Sequence, residues 1–373
     1  MSPQAPGRQR LAAAAAALLA GLWGASVAAP HWRGDISPLD RLEAPLADLR
    51  FLIGGERPGP DLVTIIAVDD ETARQAGAYP LPRAALARLV ERVGRARPKA
   101  IALDLLLADP GPGDGDEALA EALRRVPVVL AAAATFSSPL QAASGDVPDG
   151  LEAVPVAQDL LQPLPLFAAV AAIGTVNVAT DRTGTPRHLP LLLRWQDGLA
   201  ASLPLRTAAA ALGQDPVLEA DAVRLGALRI PTDRGYRLPL RFYGKRGTVR
   251  TVSAARVLAG DVPDDAWTDR VVLVGATVTG GGDVYPSPFD PVLPGVEVLA
   301  TATAHLLAGD GLVRDRRVRA VDALVAVGLP VLLVLLLAWH RSGAGFALIA
   351  AAVLVWIAVT TVAFLNGFWL SAG

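Results

Sequence analysis

The chain has no cysteine, one methionine, four histidines and, at Lys99 and Lys245, only two lysines in 373 residues. Without cysteine there are no disulfides, no thiolate metal sites and no cysteine nucleophile. The compartment stays open, because many exported domains also lack cysteine. The histidines (His31, His188, His305, His340) form no i, i+4 pair and no HExxH motif, so their spacing gives no zinc site. There is no GxSxG elbow, no P-loop ending and no dinucleotide fingerprint; neither a cofactor nor catalysis is expected. Lys and Arg total 34 against 36 Asp and Glu, a formal net charge of −2. That balance lacks the clustered basic face that nucleic acid requires.

What the chain does have is apolar surplus, with a mean hydropathy of +0.40. Much of it lies in three uncharged runs, residues 11–29, 323–339 and 346–370, the last with Asn366 as its one strongly polar side chain. Each matches the roughly 17–25 residues a helix needs to cross a bilayer. Their lack of Asp, Glu, Lys and Arg argues against an ion or proton pathway. Arg8 and Arg10 precede the first run and Arg341 follows the second, which puts both short segments in the cytoplasm by the positive-inside rule. Arg314, Arg316, Arg317 and Arg319 oppose that assignment, partly offset by Asp315 and Asp322. The expected organisation is a cytoplasmic N-terminus (1–10), a span (11–29), an extracytoplasmic domain (30–319) and two further spans (320–340 and 346–370) in an inner membrane. A cleaved signal peptide ending at Ser26-Val27-Ala28 is the alternative for the first run, and it leaves the large domain on the same side.

Within the large region, residues 61–69 (DLVTIIAVD), 100–107 and 126–134 read as buried strands, alternating with helices at 83–95 and 116–125. Continuous apolar strands separated by helices predict an α/β fold, a parallel-rich sheet with helices on both faces. Residues 137–159 read as a surface insertion or an inter-lobe linker. Residues 173–178 and 189–195 read as a hairpin around the turn at 181–184. Helices are expected at 202–212, 252–259 and, opened by Pro294, at 294–308; further strands at 237–243 and 270–274.

The ordered segments VDDET, YPLPR, DLLLADP, RFYG, VLVGATVTGGGD and PGVEV, set within this membrane frame, resemble the second type of CHASE domain over roughly residues 38–319 and the flanking runs. The resemblance implies an extracytoplasmic sensor, coupled to a nucleotide cyclase, histidine kinase or Ser/Thr kinase output. It also implies three helices after the sensor and a histidine following PGVE; here two apolar runs follow, Leu299 is found near that motif, and no output domain lies within the 373 residues.

Candidate ligand-binding residues are Asp69 and Asp70 at the end of the first strand, Asp104 in the second, Arg83, Thr277 in the Gly/Thr loop, Asp283 and Glu297. Ligands of parallel sheets gather at the carboxyl ends of strands, and adjacent carboxylates there suit a cation or an amine. The competing reading makes Asp70 a helix cap and pairs Arg83 with Asp70 or Asp104. The turn around Asn177, Asp181 and Arg187 reads as structural. The first expectation is a sensor for an unknown small molecule or protein, and a homodimer, because two-fold symmetry is the common way to move paired helices. It would act on a membrane or cytoplasmic signalling partner. A metal-dependent hydrolase or transferase built on Asp69, Asp70 and Asp104, or an envelope scaffold, are the alternatives.

Overall fold

The computed structural model describes residues 6–33, 40–137, 151–339 and 343–371. His340 and Arg341, and most of the insertion read at 137–159, lie outside them. In chain order the first half runs α1 (Pro6–Arg33), α2 (Asp40–Gly54), β1 (Val63–Val68), α3 (Asp70–Ala76), α4 (Arg83–Arg95), β2 (Ala100–Leu106), α5 (Gly115–Leu123), β3 (Val128–Thr135), β4 (Asp159–Leu161), α6 (Pro165–Ala168) and β5 (Ala172–Thr175). It continues with β6 (His188–Pro190), β7 (Leu192–Trp195), β8 (Gly198–Ala201), α7 (Leu203–Leu212), β9 (Val217–Glu219), β10 (Ala222–Leu225), β11 (Leu228–Pro231), β12 (Arg237–Pro239) and β13 (Thr251–Ser253). The last elements are α8 (Ala254–Ala259), β14 (Val271–Ala276), β15 (Val284–Tyr285), β16 (Leu293–Pro294), α9 (Gly295–Ala308), α10 (Arg316–Trp339) and α11 (Gly343–Leu365). They form two compact units, Gly55–Gly311 and the combination of Met1–Gly54 with Leu312–Gly373.

The unit Gly55–Gly311 is built on a seven-stranded sheet in the order β13-β1-β14-β2-β3-β4, with β5 also paired to β3. All these pairings are parallel except β3 with β4. Strands inside such a sheet are covered on both faces, which is why β1 is six consecutive buried residues, VTIIAV. Ile66, Val68, Ile101, Leu103, Val272 and Val274 point to one face, into a core with Leu86, Leu89, Val90 and Val93 of α4, Leu119 and Leu123 of α5, and Val257 of α8. Those four α4 positions share one stripe at helical spacing. The other face is covered by α7 and α9, which pack on β2, β3 and β5 and on β1 and β14 respectively. Ser202 caps α7 by accepting from the Leu205 N–H, and Gly213 ends it in the left-handed conformation.

Two expectations are corrected. Residues 173–178 and 189–195 do not pair: β5 lies parallel to β3, β6 pairs with β12, and β7 pairs with β8. The turn at Asp181 exists, closed by Gly184 N–H to Asp181 C=O at 3.0 Å, but it joins strands that belong to different sheets. The segment read as a helix from residue 252 begins with the edge strand β13, because Ile65–Ala67 supply pairing partners for Thr251–Ser253.

The second unit holds three helices long and apolar enough to cross a membrane, Arg10–Ala29, Arg316–Ala338 and Gly345–Leu365. α1 packs along α10 so closely that a Cβ at Gly24 would fall 2.2 Å from the Ala326 carbonyl oxygen; only glycine admits that approach. The third run is shorter than residues 346–370 suggest. Asn366 and Gly367 end α11, and Val313 then donates its N–H to the Gly367 carbonyl and accepts the Trp369 N–H, one partner on either side of Phe368. Beside that return, α2 contributes Glu43 and Arg50, an ion pair at 2.9 Å that is buried on both sides.

Candidate functional site

β14 is inserted between β1 and β2, so the carboxyl ends of these three parallel strands lie side by side where the loop 277–283 leaves β14. Asp104 lies near the end of β2. On one side it pairs with Gly275 of β14. On the other, the register with β3 shifts between Leu103 and Leu106, so Asp104 lies in a bulge. Bulges redirect side chains and are common beside functional sites. The Asp104 Oδ2 atom is 3.2 Å from the place a Cβ on Gly275 would occupy, and Val296 is closer still, so the crevice depends on glycine there.

Among the described residues, no donor and no cation satisfies the Asp104 carboxylate. Burial, and after it the like charge of Asp283, pushes its pKa up to about 7. The Tyr79 and Tyr285 phenols feel the same surroundings: burial first, then the two carboxylates, raise both, Tyr285 to about 12. Tyr79 donates its hydroxyl to the Gly281 carbonyl at 2.5 Å. Asp283 accepts the Gly295 N–H on its own carbonyl at 2.8 Å, which fixes the loop against the start of α9. The result is a group of acceptors, Asp104 half-buried and Asp283 exposed beside it with two phenols at their border, and no balancing positive charge among the described residues. Such a group favours a proton, a metal ion or a protonated amine.

The other expected site residues are engaged elsewhere. Asp69 caps α3: its Oδ1 accepts from the Thr72 N–H at 2.9 Å, the Thr72 hydroxyl at 2.6 Å and the Ser253 hydroxyl at 3.0 Å. The cap is therefore Asp69 and not Asp70. Asp70 instead holds the glycine loop, accepting from the Thr279 N–H at 2.9 Å and its hydroxyl at 2.8 Å; those two bonds lower its pKa. Arg83 pairs with neither Asp70 nor Asp104. Its Nε donates to Asp116 at 3.2 Å and its Nη2 to the Asp109 carbonyl at 3.0 Å, organising the loop before α5. Thr277 donates its N–H to the Val68 carbonyl at 2.9 Å, prolonging the ladder of β1 and β14. Glu297 is buried and accepts from the Gly247 and Val249 N–H groups. Burial raises its pKa, against the lowering effect of those bonds. The trio Asp69, Asp70 and Asp104 is thus split among a cap, a loop clamp and a crevice. Among the described residues no three His, Cys, Asp or Glu side chains are grouped to hold a metal.

A second polar cluster escaped the sequence reading. Asp310 accepts from His305 Nδ1 at 2.7 Å, from the Tyr243 hydroxyl at 3.0 Å and from Arg57 Nη1 at 3.1 Å. His305 Nε2 accepts the Arg241 N–H at 3.1 Å, which assigns the proton to Nδ1. Burial raises the Asp310 pKa, but His305, Arg57 and Tyr243 together outweigh it and hold it at about 2. Burial lowers the pKa of His305. The Arg57 guanidinium lies 4.5 Å from the centre of the Tyr243 ring. Arg57 and Asp310 stand at the entry and exit of the unit Gly55–Gly311, so this cluster fastens the two chain ends to each other. RFYG stood out in the sequence as a segment, but nothing in it indicates a partner 67 residues on for Tyr243.

Compared with known families, residues 15–340 match the CHASE2 domain. The match takes in most of the first apolar helix and all of the second. No curated protein and no solved structure matches the chain.

Proposed function

The chain belongs to the CHASE2-domain family, the extracellular sensors of signalling proteins, and from that premise we propose that it is a membrane-anchored sensor of a cationic ligand, read at Asp104 and Asp283. The observation that carries this reading is a carboxylate in a strand bulge, beside a second carboxylate, with neither donor nor cation among the described residues. A divalent cation or a protonated amine would neutralise both charges, and it competes with the proton at Asp104. Ligand then favours one packing of the loop 277–283 over another, and differential affinity of that kind is what shifts a two-state equilibrium. The chain ends held by Arg57 and Asp310 lead directly into residues 54 and 312, the links to the helices. The signal passes through those links to a cyclase or kinase type of output, in a partner or in a segment beyond this sequence. The N-terminus and the turn after α10 face the cytoplasm, the unit Gly55–Gly311 faces the periplasm, and the working form is a homodimer.

The test is thermal unfolding of the full chain in lipid nanodiscs at pH 8, with calcium, magnesium or 1,4-diaminobutane added. At least one should raise the Tm of the wild type and fail to raise that of Asp104→Asn. Equal shifts in both proteins, or none in either, would remove the cation reading while leaving the family membership intact.

A further inference from the structure

α2 has one covered face, which includes a buried ion pair, and one uncovered apolar face. Glu43, Ala47, Arg50 and Phe51 follow helical spacing and are buried within their unit. Leu49, Leu52 and Ile53, at i, i+3 and i+4 on another side, are 52 %, 57 % and 57 % exposed. In a water-facing helix that side would carry charge.

The covered face is fastened to α11. Phe51 and Phe364 meet edge to face with ring centres 4.9 Å apart. Arg50 Nη2 donates to the Thr360 hydroxyl at 3.3 Å, and Arg50 also pairs with Glu43 at 2.9 Å. Thr360 stands five positions before Leu365, the last residue of α11. At 1.5 Å of rise per residue, α2 is therefore secured about 7.5 Å below the end of that helix. Helices that lie in a bilayer interface sit roughly 5–10 Å into the headgroup and acyl boundary. A Cβ on Gly54 would touch Leu365 at 2.9 Å, and Leu365 is itself partly exposed. Through that pair, the bare side of α2 continues into the lipid-facing surface of α11, where Val355, Val359 and Val362 are exposed.

We propose that α2 is a fourth membrane-contacting element, lying in the interface with Leu49, Leu52 and Ile53 set into the acyl boundary. Its partner is the lipid surface. The Arg50–Glu43 pair supplies the polar satisfaction that a guanidinium needs at such a depth, from within the protein instead of from headgroups.

The absence of cysteine permits a clean test. Leu52→Cys, Ile53→Cys, Val362→Cys and Leu199→Cys are each labelled with NBD in full-length protein, in nanodiscs of phosphatidylcholine and phosphatidylglycerol. All four positions are exposed, so folding should survive. Quenching is measured with lipid carrying a nitroxide near its headgroup end, and with aqueous iodide. Labels at 52 and 53 should be quenched by the lipid nitroxide about two-fold or more over the label at 199, and resist iodide. The label at 362, on the span, reports whether α11 is in lipid. If 362 is quenched by lipid while 52 and 53 are quenched by iodide, α2 is in water and the proposal fails. Shielding of 52 and 53 from both quenchers means a protein covers them, and the proposal fails equally. A label at 362 that lipid does not reach removes the membrane reading and this inference together.

Discussion

The two carboxylates Asp104 and Asp310 belong to one compact unit and have opposite surroundings. Asp310 has His305, Tyr243 and Arg57 against it and is held at about 2. Asp104 has burial and Asp283 against it, and is pushed up to about 7. Folding a charge with its partners makes a fastening; folding one without them leaves a site whose state depends on what arrives from outside. The first occurs where the chain enters and leaves the unit. The second is found at the carboxyl edge of the sheet, beside a loop of three successive glycines.

Removing the balanced carboxylate should have the largest effect. Asp310→Ala takes the ion-pair partner from Arg57 and the acceptor from the His305 proton, and should lower stability by about 2–4 kcal/mol, measured as a fall in Tm at pH 7. The Asp310 pKa is depressed, so its contribution is complete above its ordinary pKa of 3.8 and is lost as pH falls toward about 2. The mutant should therefore show a flatter acid limb than the wild type.

Asp104 has the reverse sign. Its folded pKa is raised from 3.8 to about 7, so the folded state retains the proton and stability declines as pH rises through that interval. Asp104→Asn should abolish the decline and stabilise the protein at pH 8 by roughly 2 kcal/mol, about half of what the shift would give a fully enclosed group because Asp104 is only half-buried, with little change at pH 4. A Tm that falls equally with pH in both proteins would break the comparison. Asp283→Asn sharpens it. Burial ranks ahead of Asp283 as the cause of the raised pKa, so this change should move the midpoint down without eliminating it.

The smallest effect is expected at Asp70, which is solvent-exposed yet holds Thr279 by two bonds. Asp70→Ala should scarcely alter Tm, while amide hydrogen exchange at residues 279–282 accelerates. Unchanged exchange would mean that Tyr79 and the turn hold the loop by themselves.

The sheet was readable where burial on both faces wrote itself into composition. β1, β2, β3 and β14 are apolar runs of six to eight residues, and α4 carries the stripe Leu86, Leu89, Val90 and Val93. Pairing was not readable. β5 has the residues of a hairpin arm and lies parallel to β3, because partner choice depends on distant chain. The meander β9, β10 and β11 has strands of three or four residues, too short for a period to emerge. α2 was missed because Pro45 lies inside it and its buried side carries Glu43 and Arg50 instead of an apolar stripe.

The site divided in the same way. Asp104 was marked by lying in the second strand and Asp283 by its nearness to the glycine loop, and Asp104 in fact occupies a bulge that no local pattern announces. Tyr79 and Tyr285 went unnoticed, since an aromatic in a sequence reads as core until a carboxylate is seen beside it. Asp69, Arg83 and Glu297 carry the right chemistry for a ligand and spend it on a cap and two loops. Composition cannot separate these uses, because what distinguishes them is whether a donor arrives in three dimensions.

The most direct test is pH-difference infrared spectroscopy on the full chain in lipid, following the C=O band of protonated carboxyl groups. Between pH 6 and pH 8 the wild type should lose a band that Asp104→Asn never shows, and a bound cation should bleach the same band at pH 6.5. A band that is identical in the two proteins, or that persists in the wild type at pH 8, would contradict the account.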